Sequence, residues 1–150
     1  KGMAITLASM FSHDDVTDSY EQFAIPYFQL GTGSSTMTSS VTELNDPLEE
    51  GDYDSPDMTI SAIYVHTGGA QYAIALHPAY IMRSALNKVT YTVTLDEATA
   101  NGQEIMEVGL LSRNPYIQDP PISFLCAYRS FEAIPKRSSY TLILNWTIEF

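Results

Sequence analysis

Positive charge is what this 150-residue chain has least of: seven Lys and Arg stand against 18 Asp and Glu, a formal net charge of −11. A field of that sign repels phosphate backbones, so no nucleic-acid partner is expected. Arg129, Lys136 and Arg137 come nearest to a basic patch. Cysteine occurs once, at Cys126, which excludes a disulfide within the chain. It sits in the apolar run Ile122-Ser123-Phe124-Leu125-Cys126-Ala127-Tyr128, where a small buried hydrophobe is expected. A nucleophilic role would want a base nearby, and the sequence places none there. No apolar run approaches the ~20 residues of a membrane-spanning helix, so no membrane partner is expected either. The opening residues carry no signal-peptide pattern.

Catalytic patterns are also missing. His13, His66 and His77 share no metal-ligand spacing. His66 and His77 flank a Gly68-Gly69 turn signal and could approach across two strands, but isolated polar or core histidines are expected rather than a zinc site. The run Asp52-Tyr53-Asp54-Ser55-Pro56-Asp57 alternates carboxylates as a calcium loop does, yet lacks the glycine turn and distal Glu of an EF-hand. Glu104 and Glu107, three apart on a strand-like segment, point to opposite faces, which argues against a glycosidase pair. There is no Gly-x-Ser-x-Gly elbow, and Gly31-Thr32-Gly33 is too short for a nucleotide fingerprint. The chain is therefore not expected to be an enzyme, and no cofactor or metal is implied.

What is present favours strands. Apolar residues make up 45% of the chain and ten are Tyr, beside many Thr and Ser, a mix that suits pleated, half-buried surfaces. Val89, Tyr91, Val93 and Leu95 alternate with Thr90, Thr92 and Thr94. Tyr140, Leu142, Leu144, Trp146, Ile148 and Phe150 fall on one face of a final strand, and only Ile143 breaks its polar face. Further strands are expected at 4–8, 23–30, 58–65, 71–76, 103–111 and 122–128. Gly68-Gly69 predicts one hairpin, and Asn101-Gly102 predicts another between the strands near 90–96 and 105–111. Residues 78–86 are the one helix candidate, opened by Pro78. Gly109 weakens its strand or marks a bulge. The expected fold is all-β: an antiparallel β-sandwich or flattened barrel of about seven or eight strands with long acidic loops. It divides into an N-terminal arm, 1–22, and a single domain, 23–150.

Three expectations concern individual residues. Glu107 lies among Ile105, Val108, Leu110 and Leu111, where an unpaired carboxylate is costly to bury. It needs a cation or backbone donors, and Arg129 or Lys136 is the expected partner, in a folding role. Trp146 is expected mostly buried with Leu142, Leu144 and Ile148. The acidic arm and the loops 36–57 and 112–121 have no obvious internal partner. Asp14, Asp15, Asp18, Glu49, Glu50, Asp52 and Asp54 are thus candidates for contact with other chains.

Several segments together resemble a known family. Tyr27-Phe28-Gln29-Leu30-Gly31-Thr32-Gly33 resembles the "aromatic, Leu or Val, Gly-x-Gly" segment of small tailed-phage structural proteins. Ala100-Asn101-Gly102-Gln103-Glu104-Ile105-Met106-Glu107-Val108-Gly109-Leu110-Leu111 is similar to their "Asn-Gly-x-x-Ile-x-Glu-Val-Gly-Leu-Phe", with Leu111 in place of the aromatic. Ala127-Tyr128-Arg129-Ser130-Phe131-Glu132-Ala133-Ile134-Pro135-Lys136 resembles "Ala-Arg-x-Phe-x-x-Ile-x-Lys", and residues 139–150 the closing strand. The order and spacing are those of the N-terminal domain of phage tail-collar fibre proteins, apart from an insertion at 114–121. The resemblance covers residues from about Phe23 to Phe150. It implies a virion component of the tail, collar, baseplate or neck, assembled in the host cytoplasm. Its partners would be other virion proteins, and it is expected to assemble as a symmetric homo-oligomer in the particle, as most structural subunits do. The alternatives are a capsid decoration protein and, in another class, a carbohydrate-binding β-sandwich using Trp146 and the tyrosines.

Overall fold

Strict alternation builds the strand it predicts. Val89, Tyr91, Val93 and Leu95 are buried, while the threonines between them face outward along β5 (Lys88–Leu95). The computed structural model describes residues 25–34, 36, 41–55, 57–65, 69–113 and 123–150. Seven further strands are β1 (Tyr27–Gly31), β2 (Ile60–Tyr64), β3 (Ala70–Ala75), β4 (Ile81–Ala85), β6 (Glu104–Arg113), β7 (Ser123–Pro135) and β8 (Leu142–Glu149). One helical turn, α1 (Glu50–Tyr53), interrupts the acidic loop.

The strands form two antiparallel sheets, ordered β2-β3-β1-β6-β7 and β4-β5-β8, so the fold is an all-β sandwich. Phe28, Leu30, Val108 and Leu110 from the first sheet pack with Ile81, Val89, Tyr91, Val93 and Leu95 from the second. Each large apolar side chain so buried contributes about 1.5–3 kcal/mol. Ile25, Leu48 and Tyr53 extend this core. A second cluster, Tyr27, Ile63, Val65, Ala73 and Leu111, lies on the other face of the five-stranded sheet. β6 is central and therefore buried on both faces, which is why its sequence reads as a near-continuous apolar run.

The hairpin β2–β3 forms as expected, with Tyr64 opposite Ala70. Three local expectations fail for physical reasons. Asn101-Gly102 closes no hairpin, because β5 and β6 belong to different sheets. The dipeptide sits instead in an arch that carries the chain across the sandwich. Gly102 takes φ +87° and Ala100 φ +54°, and the Gly102 N–H donates to Lys136 O and that of Ala100 to Tyr53 O. Residues 78–86 form no helix. Pro78–Tyr80 make a single 3-10 turn, and the chain then enters β4, where Ile81 is buried and pairs with Tyr91. Cys126 is exposed, not buried, because the β6–β7 register shifts between Leu110 and Leu111 and leaves it as the extra residue of a bulge. The expected strand 4–8, the arm 1–22, His66, Gly68 and most of the 112–121 loop lie outside the described residues.

Candidate functional site

Three of the four segments that carry the resemblance are neighbours in one sheet, while the fourth, 139–150, runs into the other. β1 pairs with β6 residue for residue, Gln29 opposite Gly109 and Gly31 opposite Glu107, and β6 pairs on its other side with β7. Same-face residues alternate along a strand, so Gln29, Gly31, Glu107 and Gly109 share the outer face of the five-stranded sheet. Over this face folds the loop 41–48. The Glu107 side chain is fully buried and clamps it: Oε1 accepts the Asp46 N–H at 2.7 Å, and Oε2 accepts the Asn45 N–H at 3.1 Å and the Tyr128 hydroxyl at 2.8 Å.

The glycines make the approach possible. A Cβ on Gly31 would stand 2.6 Å from Glu107 Oε1 and 2.7 Å from Asp46 O. One on Gly33 would stand 2.9 Å from Asp46 N, and one on Gly109 would meet Leu44 Cδ1 at 2.6 Å. Thr32 N–H donates to Asp46 O, and Leu48 N–H to Leu30 O, so the loop is stitched to the end of β1. Leu44, Leu48 and Tyr53 are buried, the last two in the core between the sheets. The Tyr53 hydroxyl accepts from Leu30 N–H at 3.3 Å and donates to Tyr72 O at 3.2 Å. Burial raises the Tyr53 phenol well above its ordinary range, against a smaller opposing effect of the Leu30 N–H.

The expectation that this loop lacks internal partners is therefore overturned: its apolar residues anchor it, and Glu43 and Asp46 accept from Gln71 and Thr32 side chains. Glu49 and Glu50 are exposed, and Asp54 is exposed at φ +39°. Asp52 is half-buried, accepting from Glu49 N–H at 3.0 Å and from Gln103 Nε2 at 2.9 Å. Asp14, Asp15 and Asp18 lie outside the described residues.

The expected pairing of Glu107 with Arg129 or Lys136 is also corrected. The register sets Glu107 opposite Ser130 and Arg129 opposite Val108, so the guanidinium leaves from the other face. Lys136 lies beyond β7, where its backbone N–H donates to Gln103 O. Its side chain is fully buried, with Nζ 3.1 Å from Asn101 Oδ1 and 3.0 Å from Arg137 O, and 5.7 Å from the centre of the Tyr140 ring. Lys136 thus ties the arch at 96–103 to the turn before β8. Asp96 opens the same arch, and the Thr99 hydroxyl bonded to it, with the Ala98 and Thr99 N–H groups and Lys136, holds its carboxyl below the usual range.

Two grooves flank the sandwich. One, of about 510 Å³, runs between β7 and β8 past Phe28, Val108, Phe131, Leu144 and Trp146. Trp146 packs against the core here with Leu142, Leu144 and Ile148, mostly buried as expected but not fully covered, since β8 is the outermost strand of its sheet; its ring meets Phe28 edge-on at 6.4 Å. Ile143 on the opposite face is 57% exposed. The other groove, of about 580 Å³, includes Met58, Ile74, Val93 and His77. His77 Nδ1 accepts the Ala79 N–H at 3.2 Å. Among the described residues no group of three His, Cys, Asp or Glu could hold a metal ion, and no helix is long and apolar enough to cross a membrane.

Sequence reasoning missed Tyr128, Tyr53 and the clearance role of Gly31, Gly33 and Gly109. The signal was there in part: a Glu inside an apolar strand, with a glycine two residues along on the same face. Searches for related proteins return no matching family model and no similar curated protein.

Proposed function

We propose that the chain is a structural subunit of a tailed-phage particle, at the tail, collar, baseplate or neck, working through contacts with other virion proteins. The observation that carries this reading is the meeting of three of the four resembling segments, the fourth lying in β8 of the other sheet. β1, β6 and β7 are adjacent strands, and Gly31, Gly33, Glu107, Gly109 and Tyr128 converge on one loop anchor. Chance likenesses scattered along a chain have no reason to share one anchor. The anchor holds an acidic, outward-facing surface on a rigid sheet, and such a surface suits a basic neighbour. The test is mass spectrometry and antibody labelling of purified particles of the phage that encodes the chain. Stoichiometric recovery and labelling at the tail or neck are expected. Labelling of the head would favour a decoration protein, and absence from the particles would overturn the reading.

A second reading has one observation in its favour. Trp146 is half-buried in an open groove, as a sugar-stacking aromatic would be. Titration of its fluorescence with a panel of glycans tests a carbohydrate-binding role, and an unchanged spectrum would remove it.

A further inference from the structure

Sheet edges expose unpaired backbone groups, and proteins usually blunt them. Among the described residues, the edges of this sandwich are β2, β7, β4 and β8. β2 has only five residues, β4 carries a register shift between Arg83 and Ala85, and β7 carries two such shifts and ends on Pro135. β8 has none of these devices. It pairs with β5 in unbroken register from Leu142 to Glu149, and contains no Pro, Lys or Arg. Its apolar residues Leu142, Leu144, Trp146 and Ile148 are all half-buried and none is fully covered.

The direction of the free groups follows from the ladder. Phe150 N–H donates to Asn87 O at 2.9 Å, so in antiparallel alternation residues 148, 146, 144 and 142 also turn their N–H and C=O toward β5. Ile143, Asn145, Thr147 and Glu149 turn theirs outward, and among the described residues no other strand pairs with that edge.

We infer that β8 is a self-association edge, pairing antiparallel with β8 of a second copy across a two-fold axis at Trp146. This register sets 145 opposite 147 of the partner and 143 opposite 149, so every outward backbone group of the strand is used. It also sets Leu144 against Ile148 and Trp146 against Trp146, covering the half-exposed apolar strip. The result is one continuous sheet through both copies, with an isologous interface. The distribution of charge selects a second copy of this chain as the occupant. In a protein of net charge −11, the only charged residue of β8 is Glu149, and it is already paired with Lys88 at 3.0 Å. Two copies can therefore meet here with little repulsion, whereas meeting through the 43–57 loop would oppose seven carboxylates to seven. The inference takes its purpose from the assembly-subunit reading and rests on it there; its register rests on the geometry.

Sedimentation of the full chain over a concentration series tests it. A reversible monomer–dimer equilibrium is expected, with the amides of 143, 145, 147 and 149 exchanging slowly in the dimer and fast on dilution. Ile143→Pro removes an outward N–H without taking one from the β5 ladder, and Ile143 is exposed. Its two-fold repeated loss should weaken dimerisation by roughly tenfold or more, with the circular dichroism of the monomer unchanged. If the variant fails to fold, the exchange of those four amides in the unmodified protein decides alone. A chain that stays monomeric at every concentration, or a dimer in which the four amides exchange as unpaired groups, overturns the inference. Particle analysis reads separately: a self-pairing chain absent from particles would sink the assembly reading and leave the β8 edge standing.

Discussion

Replacing Glu107 by Gln keeps the shape of the side chain and removes its charge and half its acceptor capacity. In the native protein Oε2 takes two donors, the Asn45 N–H and the Tyr128 hydroxyl, and Oε1 takes the Asp46 N–H. An amide can satisfy only one side. With its oxygen at the Oε2 position, its NH₂ confronts the Asp46 N–H at the shortest of the three contacts; turned over, it confronts Asn45. One backbone donor is left unsatisfied in a fully buried site, and the remaining bonds lose charge assistance. An unmet buried donor costs about 1–3 kcal/mol and the weakened bonds about 1 kcal/mol more, so Glu107→Gln should cost about 2–4 kcal/mol. In a domain of this size that is roughly 5–15 °C in Tm, read by thermal unfolding. The amides of Asn45 and Asp46 should lose exchange protection before the strands do, because the loop detaches first. Glu104→Gln, exposed at the start of the same strand, is the control and should stay within about 0.5 kcal/mol of the native protein. If Glu107→Gln matched that control in both readouts, the clamp would hold nothing.

Trp146→Ala should cost about 2 kcal/mol by equilibrium unfolding, below the ~3–5 kcal/mol of a fully buried aromatic, because the ring lines a groove and is not fully covered. Cys126 should react with a thiol reagent in the folded protein at a rate close to that after unfolding; native-state protection would contradict its exposed place on the bulge. Asp96 and Glu149 should titrate below the ordinary carboxylate values of about 3.9 and 4.3, Asp96 chiefly through the Thr99 hydroxyl and Glu149 chiefly through Lys88. Depressed folded-state values mean that each contributes stability above its unfolded pKa and loses it as pH falls through the folded one. Titration by NMR at or above the ordinary values would refute the assignment of partners.

What could be read from the sequence was whatever a short window decides. The alternation along β5 and β8 gave the strands and their buried faces, because a half-buried strand imposes a period of two on its own residues. Which sheet a strand joins is settled elsewhere. Gly102 did take a positive φ, but Tyr53 and Lys136, far from it in sequence, turned that local bend into an arch between sheets. The Glu107 expectation was half right for a similar reason. The need for a partner is local, since the carboxylate is surrounded by apolar neighbours. The identity of the partner depends on the β6–β7 register and on a loop that comes down sixty residues away in sequence, and neither leaves a local mark. Cys126 was misread because a bulge moves one residue out of its pattern without changing its apolar neighbours.

The placement of β8 beside β5 also sets an order of events during synthesis. β6 and β7 lie between the two in sequence and belong to the other sheet, so one flank of β5 waits while both are made. At ordinary ribosomal speeds that wait is of the order of several seconds, far longer than a hairpin takes to close. During it the segment Val89-Thr90-Tyr91-Thr92-Val93-Thr94-Leu95 presents an open edge of high β-propensity with no charge, guarded only by Lys88 before it and Asp96 after it. On a polysome carrying several copies, neighbouring nascent chains are the nearest strands available, so high-level production should favour mispairing at β5.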